Sequence, residues 1–146
     1  MKNTIQVVEN AGAAKVNLLN RSLGRYLVSS MLAGLFVGLG IILIFTIGGM
    51  LAPAHAPSTK IVMGISFGIA LSLVVMAGSE LFTGNNFIMM VSTLNKKTTW
   101  PDTFKIWFYS FVGNFAGSML LAALFVVTGL DRAARLTSST TLRARR

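Results

Sequence analysis

The chain has 146 residues, of which 53% are hydrophobic and only 12% are charged. A small soluble domain cannot hide that much apolar surface from water, so the composition excludes a soluble enzyme and a disordered chain. The net charge of +9 does not indicate nucleic acid, because the basic residues lie near the chain ends and in short polar segments, as in membrane proteins. The chain has no cysteine and one histidine, which excludes a disulfide framework and gives no basis for a metal or other cofactor.

The first predicted element is residues 1–25, a polar segment with apolar residues at helical spacing. We expect an amphipathic helix on the cytoplasmic surface of a membrane. A three-span membrane domain is predicted to follow at residues 26–130, and a basic tail, non-native or disordered, at residues 131–146.

The first and third predicted spans are apolar stretches of more than the ~20 residues that a spanning helix needs. No Asp, Glu, Lys or Arg occurs between Arg25 and Lys60, and the first stretch, residues 26–54, ends in a proline-containing loop. The third stretch, residues 106–130, begins among aromatic residues typical of a membrane interface, namely Trp100, Trp107 and Tyr109.

The second predicted span is interrupted. Between Lys60 and Lys96 the only charged residue is Glu80, and the surrounding run AGSELFTGNN disfavours a regular helix. We predict a break around residues 79–85. Non-helical backbone at membrane depth is tolerated where it is buried in protein or lines a wet cavity, and a broken helix is a usual substrate site of transporters. The alternative is a re-entrant turn without function, although an intramembrane acid is a functional candidate by default.

Glycine pairs four residues apart recur in all three predicted spans. Such pairs let helix backbones approach closely. They indicate packing within a compact bundle or a tight oligomer, without showing what packs, and the alternative is chance in Gly-rich membrane helices. The pairs are Gly34 with Gly38, Gly64 with Gly68, and Gly113 with Gly117.

The basic residues predict a cytoplasmic N-terminus. With that orientation, the inside segments carry seven lysines and arginines, whereas the first outside loop carries Lys60 alone. The tail opposes this bias, because its five arginines would lie outside.

Three runs resemble the formate/nitrite transporter family, closest to its nitrite-channel branch: GLGIILIFTIGG at 38–49, GISFGIALSLVVMAGSELFTGN at 64–85 and WFYSFVGNFAG at 107–117. The resemblance covers about residues 9–130, and GSELFTGN is its most specific block. It implies an all-α membrane protein with an aquaporin-like fold: six spans in two inverted halves, with the second and fifth spans broken. It also implies a homopentamer with one pore in each protomer, located in a bacterial inner membrane.

The resemblance implies two sets of pore residues. The cytoplasmic constriction corresponds to Phe67, Leu71 and Leu81. The broken-helix loop corresponds to Gly78, Ser79, Glu80, Phe82, Thr83, Gly84 and Asn85.

Four residues receive individual roles from the resemblance. Thr83 matches a threonine that hydrogen-bonds a central pore histidine, and Glu80 matches an acid that braces the loop. Asn114 matches a structural asparagine, and Lys15 matches a basic residue that helps attract anions.

The chemistry of an anion path fits these residues on physical grounds. An anion such as nitrite loses hydration at an apolar constriction, and hydroxyl and backbone N–H donors at a helix break can replace it. Glu80 would repel an anion, so we expect its carboxylate to accept hydrogen bonds from loop backbone N–H groups instead.

The chain also departs from the family pattern. It has three predicted spans, without the second inverted half and its histidine, since His55 lies in a loop. The tail does not resemble the family. We therefore predict half of an anion channel for nitrite or formate, truncated and inactive as it stands, in contact with lipid and with proton coupling left open. The alternatives are a proton-coupled small exporter that uses Glu80, and a membrane fragment that transports nothing. Neither enzymatic chemistry nor a nucleic-acid partner is expected.

Overall fold

The structure is a computed structural model, and it describes residues 2–52 and 57–129. Within these ranges the chain forms helices joined by short non-helical segments, without strands. The five helices are α1 (Lys2–Arg21), α2 (Leu23–Leu51), α3 (Thr59–Met76), α4 (Phe82–Leu94) and α5 (Trp100–Val127). The tail at 131–146 and the loop residue His55 lie outside the described residues.

Three of the described helices are long and apolar enough to cross a membrane: α2, α3 and α5. Because α3 ends at Met76 and α4 begins at Phe82, the second span is broken as predicted. The predicted architecture of three spans with an interrupted second one is therefore confirmed.

The N-terminal helix is shorter than the predicted surface segment. α1 ends at Arg21, and Ser22 caps α2 by accepting a hydrogen bond from the Arg25 backbone N–H at 3.4 Å. A side-chain cap of this kind fixes where a helix starts, so α2, the helix of the first candidate span, begins at Leu23. One side of α1 packs on α4, where Gly12 lies against Ser92.

Helix α2 lies at the centre of the bundle, between α3 and α5. Its crossing with α5 is a backbone contact, because a Cβ on Gly34 would collide with the backbone of Asn114 and one on Gly117 with the backbone of Met31. Glycines on both helices thus allow the close approach that the sequence predicts.

The glycine pair of α3 behaves differently from the other two. Apart from the chain neighbours and the helix backbone of each glycine, no atom in the described part of the chain lies within 4 Å of a Cβ built on Gly64 or on Gly68. Within the described residues this pair therefore makes no helix contact, and a contact in an oligomer stays a prediction. The open side of α3 points away from α2, the helix against which α3 chiefly packs.

Candidate functional site

The break between α3 and α4 covers residues 77–81 and begins with a left-handed glycine. Gly78 has φ +60°, a conformation that other residues adopt only with strain. The chain then extends through Leu81, whose φ of −83° and ψ of 127° end the break. The break thus lies two to four residues earlier than the predicted 79–85. Gly78, Ser79, Glu80 and Leu81 belong to it.

The remaining predicted loop residues are helical. Phe82, Thr83, Gly84 and Asn85 form the first turn of α4, which corrects their assignment to the loop. The physical reason is a cap supplied from another helix: the Asn114 side chain of α5 accepts a hydrogen bond from the Phe82 backbone N–H at 3.0 Å. No sequence-local residue provides that cap, since the Leu81 side chain makes no capping hydrogen bond.

Asn114 connects three parts of the molecule. Besides accepting from Phe82, its amide nitrogen donates to the Glu80 carbonyl and to the Ser30 carbonyl of α2, each at 2.9 Å. Backbone polar groups freed at membrane depth need partners within the protein, because hydrocarbon supplies none. Asn114 supplies one acceptor and two donors, and so holds the break against α2 and α5.

The carboxylate of Glu80 forms an ion pair with Lys15 of α1. The Lys15 Nζ–Glu80 Oε2 distance is 2.7 Å, and the side chains are only 16% and 7% exposed. The expected donors to this carboxylate were loop backbone N–H groups, but in the structure the donor is the Lys15 ammonium. A lone carboxylate would be costly here, and the pairing leaves the break without net charge.

Tyr26 adds a buried hydroxyl beneath the break. Its side chain is 0% exposed, and the Asn85 amide donates to its hydroxyl at 3.0 Å. Sequence analysis missed Tyr26, which it treated as the first residue of an apolar span. A tyrosine at the start of a span gives no signal that distinguishes a buried hydroxyl from an interfacial one.

The N-terminus of α4 presents free donors. Its first helical hydrogen bond joins the Asn85 N–H to the Leu81 carbonyl, so the N–H groups of Thr83 and Gly84 precede the helical bonding pattern. Thr83 is exposed, and beyond the backbone of α4 itself no described atom lies within 4 Å of a Cβ built on Gly84. Backbone N–H groups at a helix N-terminus favour negative charge, so this turn has the chemistry to receive an anion.

The three predicted constriction residues lie on α3 and in the break. Phe67 is half-buried, with its ring over Gly40 of α2. Leu71 follows one helical turn later and is 47% exposed. Leu81 is half-buried at the end of the break. Phe67 and Leu71 thus lie on α3 before the break, whereas Leu81 adjoins the donors of α4.

The site offers no metal centre in the described ranges, where no group of three or more His, Cys, Asp or Glu side chains could hold an ion. What it combines is a neutralised charge pair, a set of amide hydrogen bonds and an exposed helix N-terminus. This arrangement can bind and orient a small anion, but it contains no pair of groups for acid–base or nucleophilic chemistry.

The chain matches a model of the formate/nitrite transporter family over residues 2–144. That match includes most of the tail, which the sequence analysis separates from the family. The chain is 44% identical over 117 residues to the nitrite transporter NirC of Escherichia coli, a stretch that covers 79% of this chain and 42% of that protein. It is 36% identical over 126 residues to the uncharacterized transporter YwcJ of Bacillus subtilis, covering 86% and 49%.

A solved structure described as an FNT family ion channel superposes with a TM-score of 0.82 at 37% identity, covering 88% of this chain and 51% of that one. The chain therefore spans about half the length of the relatives that it matches. These relatives are transporters and channels, not enzymes.

Proposed function

This chain belongs to the formate/nitrite transporter family, and on that premise we propose that it forms one wall of a path for small monovalent anions, nitrite or formate, through a bacterial inner membrane. The observation that carries the proposal is the exposed first turn of α4, where Thr83 and the free N–H groups lie next to a Glu80 whose charge Lys15 offsets.

In the proposed mechanism, an anion loses water at the apolar side chains of Phe67, Leu71 and Leu81. The Thr83 hydroxyl and the N–H groups of the first α4 turn then replace part of its hydration. Glu80 does not oppose this step, because its carboxylate is paired. Asn114 keeps the donors in place by capping Phe82 from α5.

We propose that the second wall of the path comes from a further set of three spans, with the N-terminus of the chain in the cytoplasm and the whole assembled as a homopentamer. Two observations support this. The chain covers 42% of NirC and 51% of the similar channel structure. The side of α3 that carries Leu71, Gly64 and Gly68 is open in the described part of the chain.

The proposal is tested by nitrite and formate flux into liposomes that contain the chain alone, or residues 1–129 joined to the part of Escherichia coli NirC that follows the matched region. We expect saturable flux in the joined protein and none above empty vesicles for the chain alone. In the joined protein, Phe67→Ala should loosen selectivity among anions by widening the constriction. The absence of flux in both proteins would reject the proposal in favour of a membrane protein that transports nothing.

The proton-coupled exporter has weaker support. It would need Glu80 to face an open cavity from a regular helix, but this residue is 6% exposed, lies in the break and contacts Lys15.

A further inference from the structure

The first turns of α5 expose aromatic side chains on one side of the helix together with a lysine. Positions i, i+3, i+4 and i+7 share one side of a helix, and counted from Pro101 these are Phe104, Lys105 and Phe108. The two phenylalanine side chains are 59% and 62% exposed. In α5, which the structure describes throughout, Lys105 is the one exposed residue that carries a charge. Because α5 is long and apolar enough to cross a membrane, this charge lies on a side of the helix that suits contact with lipid.

The depth of Lys105 in a membrane follows from where α5 starts. Thr99 and Asp102 form a capping box, in which the Thr99 hydroxyl accepts from the Asp102 N–H at 3.4 Å and the Asp102 carboxylate accepts from the Thr99 N–H at 3.3 Å. Trp100, the first residue of the helix, is 48% exposed, and tryptophans favour the headgroup level of a membrane. Lys105 lies about 7.5 Å further along the axis at 1.5 Å per residue. Its flexible stem can span that distance back towards the headgroups.

Exposed basic residues gather at the end of the bundle where α5 starts. Helices α2 and α5 run in the same direction, because Gly34 of α2 faces Asn114 of α5 and Gly38 faces Leu121. The end of α1, the start of α2 and the α4–α5 turn therefore lie at the same end as the start of α5. The exposed basic residues of these segments are Arg21, Arg25, Lys96, Lys97 and Lys105. Together they give this end of the molecule a positive potential.

Few acidic groups offset this positive charge. The acidic residues of the described ranges are Glu9, Glu80 and Asp102. Glu80 pairs with Lys15, and the Asp102 carboxylate accepts a hydrogen bond from the Thr99 hydroxyl at 2.6 Å. Within the same ranges Lys105 has no ion-pair partner. Its ammonium is therefore available to a negative group at the membrane surface.

We propose that the side of α5 formed by Phe104, Lys105 and Phe108 binds an anionic phospholipid. The Lys105 ammonium pairs with the headgroup phosphate, and the acyl chains lie on the two phenylalanine rings. A lipid fits this surface better than an acidic protein segment, because the neighbours of the lysine on this side are apolar rings rather than hydrogen-bonding groups. A headgroup with net negative charge is favoured over a zwitterionic one, because the surrounding basic residues repel the cationic part of the latter. This lipid site goes beyond the proposed anion path and does not depend on it.

The test uses the two tryptophans of the chain as local reporters. Both Trp100 and Trp107 lie near the start of α5, and bromine on a lipid acyl chain quenches tryptophan fluorescence only at short range. The chain is reconstituted in vesicles of phosphatidylcholine with a minor share of phosphatidylglycerol, and the bromine is placed on one lipid or on the other. Quenching per brominated lipid should be stronger for phosphatidylglycerol at about 10 mM ionic strength and nearly equal for the two lipids at about 1 M. Lys105→Gln should reduce the low-salt affinity for phosphatidylglycerol, relative to phosphatidylcholine, about fivefold.

Two variants serve as controls for this measurement. Lys105→Arg should keep the preference for phosphatidylglycerol, and Lys60→Gln, which removes an exposed lysine from the first turn of α3 at the other end of the bundle, should leave it unchanged. Equal quenching by the two lipids in the unmodified chain would reject the lipid site, and so would a preference that Lys105→Gln retains in full. Weak quenching by both lipids would also reject it, because that result indicates that another protein surface covers this side of α5. None of these outcomes involves anion flux, so each leaves the proposed function intact.

Discussion

Removing the Lys15 ammonium from its ion pair should destabilise the protein more than removing the Glu80 carboxylate. Lys15→Met leaves a carboxylate whose side chain is 7% exposed without its partner. Breaking a buried ion pair from one side costs about 3–5 kcal/mol, and the partial exposure of Lys15 favours the lower end of that range. Glu80→Gln leaves an ammonium that is 16% exposed and can extend towards water on its flexible stem, so we expect about 1 kcal/mol.

The double variant Lys15→Met/Glu80→Gln should be more stable than Lys15→Met alone, because no unpaired charge remains in it. The measurement is the midpoint of thermal unfolding in detergent, followed through the fluorescence of the two tryptophans, with Lys97→Met as a control for loss of an exposed charge. Nitrite flux in the joined protein distinguishes two roles of Lys15, the offsetting of the Glu80 charge and the direct attraction of anions. If this lysine acts by offsetting Glu80, the double variant regains flux that Lys15→Met has lost. If the double variant is as unstable and as inactive as Lys15→Met, the argument from charge pairing is wrong.

Three further changes test other contacts of the site. Asn114→Leu leaves the Phe82 N–H and the Glu80 carbonyl without partners, at a cost of about 1–3 kcal/mol for each buried group. It should lower the unfolding midpoint far more than Asn95→Leu, which removes an exposed hydrogen bond at the C-terminal end of α4. Equal shifts of the midpoint would contradict the bridging role of Asn114. Thr83→Val removes a hydroxyl with little change in volume. It should reduce nitrite flux about tenfold, if one donor contributes about 1.4 kcal/mol, and leave the unfolding midpoint unchanged. Full flux in this variant would show that Thr83 does not line the path. Gly117→Ala should destabilise the α2–α5 crossing by about 1–3 kcal/mol through overpacking. Gly64→Ala, whose added Cβ meets open space, should be neutral or stabilising. Similar unfolding midpoints for the two variants would show that the crossing tolerates a Cβ.

The three-span architecture could be predicted from the sequence because charge and hydropathy report directly on membrane crossing. The long uncharged runs give α2 and α5, and the overlong run with Glu80 gives an interrupted span. The exact limits of the break could not be predicted. Thr83, Gly84 and Asn85 have low helix preference, yet they are helical because Asn114 caps the turn from a residue 32 positions away from Phe82. A contact of this kind depends on the packing of α5 and leaves no local pattern.

The glycine pairs illustrate the same limit. Gly113 with Gly117 and Gly64 with Gly68 have identical spacing, but only the first pair meets another helix in the described ranges. Spacing shows that a close approach is possible, and the partner decides whether it occurs. The partner of Glu80 was also beyond sequence reasoning, since Lys15 lies 65 positions away on a different helix.

The triple hydrogen bonding of Asn114 has a consequence for how the chain is made. Synthesis delivers α3 and the start of α4 to the membrane before α5, so the Phe82 N–H and the Glu80 carbonyl enter it 32 and 34 residues ahead of the amide that satisfies them. Until the third span is inserted, those groups depend on water or on the protein insertion machinery, because lipid offers no partner. We therefore expect the second span to reach its final depth only when the third is in place, so that the two insert as one coupled event during biogenesis.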